Sequence, residues 1–411
     1  MTGGPRAVIA SRLFPPEVSA GAFRLGALAL ALDNAGLDVT VLTTIPPRHA
    51  PDVRDATGLT IRRWPVLRDK GGNVRGYIQY ASYDAPLLLR LMCSRFDVVV
   101  AESPPTTGLA VALIAALRRR PMVYYAADVW TDGVISMGAP AMVIRVMRWM
   151  ERLVLRRAHR IISVSDEVTA RLIALHADPA RIATVGNGID TDIFSPRADA
   201  PRVPGRYFVY TGTMSEWQRP DIFIRAFALL AEEHPDVGLR FYGQGAVEQD
   251  LRALADQIVP GRVAFGGVVS PQRAASEIRG AVGSLVSIVP GIGYDFARPT
   301  KTYAAAAVGT PVIFAGPDAG GRLVREANLG RAVAFSEDQI AEAMRNLLRE
   351  SADGSTERMR GDRAGWALAN VSLKAVARRV ADVVTQATQQ ATTRIGGARM
   401  AHSGNDEGSG S

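Results

Sequence analysis

Short, continuously apolar runs alternate along the first half of the chain with longer segments whose apolar residues recur at helical spacing. The apolar runs are rich in β-branched residues and predict strands at 7–10, 38–42, 97–101, 122–125 and 160–164. The longer segments predict helices at 19–35, 107–118 and 140–158. Strands that are apolar on both faces and alternate with helices are typical of a parallel sheet covered on both sides. We therefore expect an α/β, doubly wound fold.

A break in this pattern separates two halves. Residues 195–206 contain three prolines and few apolar side chains, which is typical of an interdomain linker. After it the alternation restarts, with strands predicted at 207–211, 239–242, 263–265, 284–288 and 311–314. We expect a first domain over 1–194, a second over 207–369, a last helix over 370–392 and a disordered tail over 393–411.

The composition is that of an ordinary globular protein. Of 411 residues, 47% are hydrophobic and 21% are charged, which excludes a largely disordered chain and a coiled coil. The single cysteine, Cys93, excludes an intramolecular disulfide, and the five histidines lack metal-ligand spacing, so we expect no zinc enzyme. The chain shows neither a charge-free apolar run of about 18 residues nor the start of a secretory signal. We expect a cytoplasmic protein that rests, at most, on the inner face of the cell membrane.

Positive charge is concentrated in the first half. Residues 1–190 carry 23 Lys and Arg against 16 Asp and Glu, whereas residues 191–411 carry 25 against 24. A basic half favours an acidic partner such as a phosphate, a nucleic acid or an anionic lipid. The alternative is an arginine-rich but ordinary solvated surface. Nucleic acid is disfavoured because the basic residues lack interleaved aromatic residues.

Ligands of open α/β sheets bind where the strands end and the next helices begin. The loop after the first predicted strand passes from prolines to small residues, so a phosphate could lie on the amides near Ala20 and Gly21; a plain turn is the alternative. Asp128 follows the strand at 122–125, where a carboxylate could contact a sugar or act as an acid or base. The alternative is a helix cap or a structural hydrogen bond. In the second half, permissive loops follow three strands and contain Gly212, Thr213, Arg219, Gly243, Gly245, Gly267 and Val268.

Two basic residues flank the start of a predicted alanine-rich helix in the second half. Arg298 and Lys301 lie where the helix dipole does not favour cations, and Gly309 is a suitable helix stop. This arrangement predicts an anion bound between the two side chains.

The predicted helix over 142–158 is basic and amphipathic. Five arginines recur mostly on one face, beside Met142, Val146 and Trp149. Such a helix can lie on anionic lipid, and the same pattern also fits an ordinary solvated helix packed on a sheet.

Taken in order, these segments resemble the GT-B glycosyltransferases of family 4, in particular those of bacterial exopolysaccharide and O-antigen clusters. The resemblance covers about residues 7–390. The matching segments are Phe14-Pro15-Pro16-Glu17, Glu102-Ser103-Pro104-Pro105, Asp128-Val129-Trp130, Asn187-Gly188-Ile189-Asp190, Gly243-Gln244-Gly245, Pro299-Thr300-Lys301 and Gly309-Thr310-Pro311-Val312.

The resemblance implies two Rossmann-like domains that face a cleft, with the last helix crossing back to the first domain. It implies a retaining transfer of sugar from a nucleotide diphosphate-sugar to a cell-envelope glycan or lipid-linked acceptor. Arg219, Lys301 and backbone amides would stabilise the leaving diphosphate without a metal or other cofactor, and Asp128 would contact a sugar. The donor would further lie against Ala20, Gly21, Gly212, Thr213, Gly243, Gly245, Gly267, Val268, Asp295, Arg298, Thr300 and Tyr303.

The chain departs from the family pattern at its Glu-x7-Glu motif. The two glutamates would fall on Phe296 and Ala304, and Asp295 is the nearby carboxylate that could substitute. Two alternatives therefore stay open. One is a non-catalytic GT-B partner protein, and the other is a nucleotide-sugar epimerase, which would need a carboxylate and histidine set that His49, His159 and His176 do not suggest.

Overall fold

The computed structural model describes residues 4–17, 19–47, 50, 58–69, 74, 76–136, 138–199, 201, 205–292, 295 and 299–403. The chain forms two compact units. Unit 1 comprises Met1–Gly186 and Val376–Ser411, and unit 2 comprises Asn187–Ala375. The described part of 195–206, the expected linker, belongs to unit 2.

Unit 1 is built on a parallel sheet whose described strands follow the order β3-β2-β1-β4-β5-β6-β7. Its strands are β1 (Arg6–Ala10), β2 (Asp38–Thr44), β3 (Thr60–Trp64), β4 (Val98–Glu102), β5 (Met122–Ala126), β6 (Arg160–Ser163) and β7 (Ile182–Thr184). Its helices are α1 (Ala20–Asn34), α2 (Tyr77–Cys93), α3 (Pro105–Leu117), α4 (Trp130–Ser136), α5 (Ala141–Arg157) and α6 (Asp166–Ala174).

Unit 2 repeats this architecture with a parallel sheet in the order β10-β9-β8-β11-β12-β13. Its strands are β8 (Arg206–Thr211), β9 (Val237–Tyr242), β10 (Val263–Phe265), β11 (Gly283–Ser287), β12 (Val312–Ala315) and β13 (Gly330–Val333). Its helices are α7 (Asp221–Ala228), α8 (Glu248–Ile258), α9 (Pro271–Arg279), α10 (Thr300–Val308), α11 (Asp318–Glu326), α12 (Glu337–Ala352), α13 (Ser355–Arg358) and α14 (Arg360–Asn370). The final helix, α15, runs over Leu373–Ser403.

Each sheet is covered on both faces, which confirms the predicted doubly wound α/β class. In unit 1 every residue of β4 and β5 is buried. One face of this sheet packs against α2, α3 and α5, and the other packs against α1 and residues of α15 from Val376 to Ala387. Because side chains alternate across a strand, apolar runs such as Val98–Ala101 supply both cores at once.

The last helix is longer than predicted. It continues to Ser403 instead of ending near 392, since residues 393–403 include alanine, arginine and methionine, which favour helix. The rest of the expected tail, 404–411, lies outside the described residues. None of the helices described is both long and apolar enough to span a bilayer.

Candidate functional site

Backbone hydrogen bonds bring the glycine loops of unit 2 together at the carboxyl ends of β8, β9 and β10. The amide of Gly212 donates to the Tyr242 carbonyl over 2.8 Å, and the amide of Gly243 donates to the Gly267 carbonyl over 2.7 Å. Gly243 has a φ of +127°, and a side chain there would collide with the Gly212 carbonyl. A side chain at Gly245 would likewise collide with the Met214 backbone. The glycines predicted from separate loops therefore form one surface where backbone is accessible.

Lys301 reaches this surface from the first turn of α10. Its Nζ lies 2.6 Å from the Tyr210 Oη, 3.1 Å from the Gln218 Oε1 and 3.2 Å from the Thr213 carbonyl oxygen. All three acceptors are neutral, and within the described residues no carboxylate pairs with this ammonium. Burial lowers the pKa of Lys301 to about 7 because no opposite charge stabilises its protonated form. A cation held in this way is suited to an anionic ligand.

Arg219, which the sequence predicts to stabilise a leaving diphosphate, pairs with a neighbouring carboxylate in this structure. Its φ of +42° lies in the left-handed region, and its guanidinium donates to the Asp221 carboxylate over 2.9 Å. About half of the side chain is exposed. The arginine is therefore an ion-paired surface residue in this structure and would have to leave Asp221 to reach a phosphate.

The remaining predicted donor residues of unit 2 are scattered. Asp295 accepts a 2.7 Å hydrogen bond from the Gly291 amide of its own loop, and Thr300 begins α10. Tyr303 is packed in the core of unit 2, because its side of α10 faces the sheet. Val268 is exposed after β10. Arg298 and Phe296 lie outside the described residues.

At the carboxyl edge of the unit 1 sheet, a buried carboxylate organises the loop after β1. Glu102, the last residue of β4, accepts hydrogen bonds from the Ser11 hydroxyl (2.8 Å) and from Arg24 (2.6 Å). A Cβ at Gly21 would lie only 3.2 Å from a Glu102 oxygen, so this glycine lets α1 approach the carboxylate. The sequence analysis named Glu102 only within a segment that resembles the family and did not predict this pairing.

The predicted phosphate cradle near Ala20 and Gly21 is partly used by the protein itself. Ser19 caps α1, and its hydroxyl accepts the Ala22 amide hydrogen over 3.1 Å. A phosphate at this helix start would therefore compete with the Ser19 side chain for that amide.

Asp128 lies exposed immediately after β5 and does not cap the following helix. That role belongs to Glu151 of α5, whose two oxygens accept the backbone amides of Trp130 (2.9 Å) and Thr131 (3.0 Å). Burial raises the pKa of Glu151, against the effect of these hydrogen bonds. Glu151 therefore fills the role that the helix-cap alternative gave to Asp128.

A cavity of about 390 Å³ opens between α2 and α3. Its walls are mainly aromatic and aliphatic, and include Tyr77, Tyr80, Leu88, Leu109 and Leu113.

The part of the chain that is described contains no group of three or more His, Cys, Asp or Glu side chains placed to hold a metal ion.

Two family models match consecutive parts of this chain. The model described as "Glycosyl transferase 4-like domain" matches residues 20–188, and the model described as "Glycosyl transferases group 1" matches residues 205–350. The chain belongs to the glycosyltransferases. The family inferred from the order of its motifs is thereby confirmed.

Curated relatives match this glycosyltransferase over part of their length. D-inositol 3-phosphate glycosyltransferase of Mycobacterium marinum is 32% identical over 213 residues, which are 49% of this chain and 45% of the relative. The chain thus spans about half the length of the curated relatives it matches.

Solved structures confirm the GT-B fold of the glycosyltransferase. Sucrose-phosphate synthase from Thermosynechococcus elongatus aligns with a TM-score of 0.69 at 17% identity, covering 93% of this chain and 98% of that one. Anabaena HepE, in complex with UDP and glucose, aligns with a TM-score of 0.63 at 15% identity, covering 93% and 99%.

Proposed function

We propose that this glycosyltransferase moves a sugar from a nucleotide diphosphate-sugar to a cell-envelope glycan or lipid-linked acceptor, with retention at the anomeric carbon. The observation that carries the proposal is Lys301, whose ammonium is held at the glycine loops of unit 2 by neutral oxygens alone. HepE, which shares the fold, binds UDP and glucose, and this supports a nucleotide-sugar donor here.

The diphosphate would occupy the space beside Lys301 and the loop after β8. Gly212 has a φ of +108° and lies close to the Lys301 side chain, so backbone and ammonium can approach one ligand together. The start of α10 adds a helix N-terminus, which favours an anion. These groups would stabilise the charge that develops on the diphosphate as the sugar leaves, and we expect no metal ion to be required.

Asp128 is proposed to contact a sugar hydroxyl from unit 1. It is exposed at the carboxyl end of β5, on the edge where ligands of parallel sheets bind. The Asp128 side chain is not needed to cap α4, because Glu151 accepts the hydrogen bonds of the first amides of that helix.

The acceptor side of the proposal includes contact with an anionic membrane. Within the described residues, nine large apolar side chains lie exposed on α2, α3 and α5 of unit 1: Tyr77, Ile78, Leu89, Met92, Leu113, Leu117, Met142, Val146 and Trp149. On α5, exposed Arg145, Trp149 and Arg156 recur along one stripe. Apolar and cationic side chains on one surface suit a bilayer with anionic headgroups, and the cavity between α2 and α3 lies in the same layer.

Donor binding tests the proposal directly. Thermal unfolding of the purified protein is measured with UDP-glucose, UDP-N-acetylglucosamine and GDP-mannose, without added metal. A ligand present at 100 times its Kd stabilises the folded state by about 2.7 kcal/mol, which gives a clear rise in Tm. Absence of a shift with every sugar nucleotide would overturn the proposed donor class.

The site assignment is tested by Lys301→Met. We expect turnover with the donor found above to fall on the order of 10²–10³-fold, because one group that stabilises the leaving diphosphate is removed. Lys374→Met is the matched control, since Lys374 is an exposed lysine of unit 2 paired with Asp192. Equal turnover in both variants would contradict the role of Lys301.

A further inference from the structure

Two buried side chains surround Lys301, and the proposed function gives neither of them a role. Tyr210, from the end of β8, is fully buried. Gln218, from the loop before α7, has 4% of its surface exposed. Neither residue was among the predicted site residues, and their contacts with Lys301 join positions that are 91 and 83 residues apart.

The three side chains form a closed hydrogen-bonded cluster. The Lys301 Nζ donates to the Tyr210 Oη, the Gln218 Oε1 and the Thr213 carbonyl, which together match its three protons. The same nitrogen lies 4.0 Å from the centroid of the Tyr210 ring, a cation–π contact. The Tyr210 hydroxyl is 2.7 Å from the Thr213 carbonyl and 2.8 Å from the Gln218 Oε1, and the Ser215 hydroxyl is 3.2 Å from that oxygen.

We infer that Tyr210 and Gln218 are positioning residues that hold the Lys301 ammonium at the loop after β8 without neutralising it, so that the donor diphosphate supplies the counter-ion. This inference rests on the proposed function. The amide of Gln218 is central to this inference. Its oxygen accepts a hydrogen bond from the Lys301 ammonium as a glutamate would, but it does not neutralise the positive charge.

The surroundings of the ammonium explain why an anion would matter there. Besides Lys301, the described titratable side chains on β8, the following loop, α7 and α10 are Arg206, Tyr207, Tyr210, Glu216, Arg219, Asp221, Arg225 and Tyr303. Asp221 is paired with Arg219, and Glu216 is exposed. Burial raises the pKa of Tyr210, so its phenol stays protonated. None of the described carboxylates lies within ion-pairing distance of Lys301, and burial lowers the pKa of its amine to about 7.

Donor binding should therefore be coupled to proton uptake. A diphosphate beside Lys301 favours the protonated amine and raises its pKa. Below pH 7 the amine is already protonated and binding does not depend on its titration. Above pH 7 the free protein must gain a proton to bind, so Kd should rise up to tenfold per pH unit until the pKa of the complex is reached. A nucleotide diphosphate-sugar is the correct probe, because its diphosphate diester does not titrate in this range.

Gln218→Glu and Tyr210→Phe separate positioning from a merely structural role. We expect Gln218→Glu to weaken donor binding at least tenfold at pH 7, because its carboxylate pairs with Lys301, and to abolish the pH dependence, because the paired amine stays protonated. Tyr210→Phe keeps the ring but removes the hydroxyl acceptor; we expect a several-fold loss in kcat with a smaller change in KM. Tyr207→Phe is the matched control, since Tyr207 is a buried tyrosine of the same strand whose hydroxyl donates to the Glu277 carbonyl instead.

Calorimetric titration in two buffers of different ionisation enthalpy, at pH 7 and pH 8, measures proton uptake together with Kd. The probe is UDP-glucose, or whichever of UDP-N-acetylglucosamine and GDP-mannose raises the Tm most. We expect an uptake close to one proton at pH 8 in the wild type and in Tyr207→Phe, and none in Lys301→Met or Gln218→Glu. If the wild type binds no sugar nucleotide, the proposed function fails. If it binds one, and Gln218→Glu matches it in affinity and proton uptake, the function stands and the positioning role is overturned.

Discussion

In unit 1 the buried carboxylate of Glu102 is held by an arginine and a hydroxyl, whereas in unit 2 the ammonium of Lys301 is surrounded by neutral oxygens and a ring. Both groups lie at the carboxyl edge of a parallel sheet, where ligands of this architecture bind. A carboxylate with an arginine partner already has its counter-charge and fixes the shape of a loop. Lys301 has no ion pair among the residues that the structure describes, and the counter-charge that we propose for it is an anionic ligand.

Unit 2 also contains a buried charge that has ion-pair partners, so depth of burial alone does not explain why Lys301 is surrounded by neutral groups. Glu277 is fully buried, and it is matched by Arg240 and Arg273 at 2.9 and 2.6 Å. Arg240 also lies 3.6 Å from the centroid of the Tyr207 ring. This unit therefore pairs one buried charge with two arginines, whereas Lys301 has no ion pair within the described part of the chain. We infer that the uncompensated cation belongs to ligand binding, whereas the compensated groups belong to architecture.

The largest expected effect comes from breaking the compensated pair of unit 1. Glu102→Gln leaves the Arg24 guanidinium buried without a carboxylate, and we expect the free energy of unfolding to fall by about 3–5 kcal/mol. Urea denaturation measures this loss. Arg206→Met is the matched control, since it breaks the exposed Arg206–Asp236 pair and should cost less than about 1 kcal/mol. A loss at Glu102 as small as the control's would remove the distinction between architectural and ligand-binding charges.

The two faces of unit 1 also differ in how many large apolar side chains they expose to solvent. On the sheet face that packs against α1 and α15, the large apolar side chains exposed on α1 are Phe23 and Leu30, each 43% exposed. The face covered by α2, α3 and α5 presents nine such side chains. This exposed apolar surface, flanked by arginines, is the part of unit 1 for which we propose contact with an anionic membrane.

An intermediate effect is expected when this surface loses charge. Each basic side chain near an anionic bilayer contributes about 1 kcal/mol, so Arg145→Gln with Arg156→Gln should weaken binding to anionic vesicles by about 2 kcal/mol, or roughly 30-fold. Co-sedimentation at low and high salt measures the binding. Arg197→Gln with Arg349→Gln removes the same charge from exposed positions of unit 2 and should have little effect. Binding that ignores salt, or equal losses in the two double variants, would contradict the membrane proposal.

Much of the fold was predictable because continuous apolar runs indicate buried strands and glycines indicate helix ends and turns. Residues 97–101 and 122–125 are apolar on both faces, and such runs belong to covered parallel strands. Gly309 was expected to stop a helix, and it ends α10 with a φ of +77°. By contrast, β3 reads Thr-Ile-Arg-Arg-Trp and is an edge strand with alternating exposure, while α2 contains Pro86. Neither segment carries the continuous apolar signal that identified the others.

The candidate site was predictable only in outline. Lys301 stood out because a cation at a helix start is electrostatically unusual, and the glycines stood out because they permit close approach. Gln218 and Glu151 gave no such signal, since a glutamine in a polar loop and a glutamate in an arginine-rich helix are both ordinary. Their roles depend on which backbone or side chain the fold brings to them, and this is not encoded in neighbouring residues.

The smallest expected change in the free energy of unfolding is that of a substitution at Asp128, which is compared with one at Glu151, the residue that caps α4. Asp128→Asn should change the free energy of unfolding by no more than about 0.5 kcal/mol, because the side chain is exposed and caps no helix. Glu151→Ala should cost about 1–3 kcal/mol, because it leaves the Trp130 and Thr131 amides without their acceptors. With stability nearly unchanged, any loss of turnover in Asp128→Asn would come from contact with a substrate, and the ratio of kcat/KM to wild type measures that contact. Full turnover in Asp128→Asn would exclude this carboxylate from the reaction and leave the unit 2 cation as the charged group on which the proposed transfer depends.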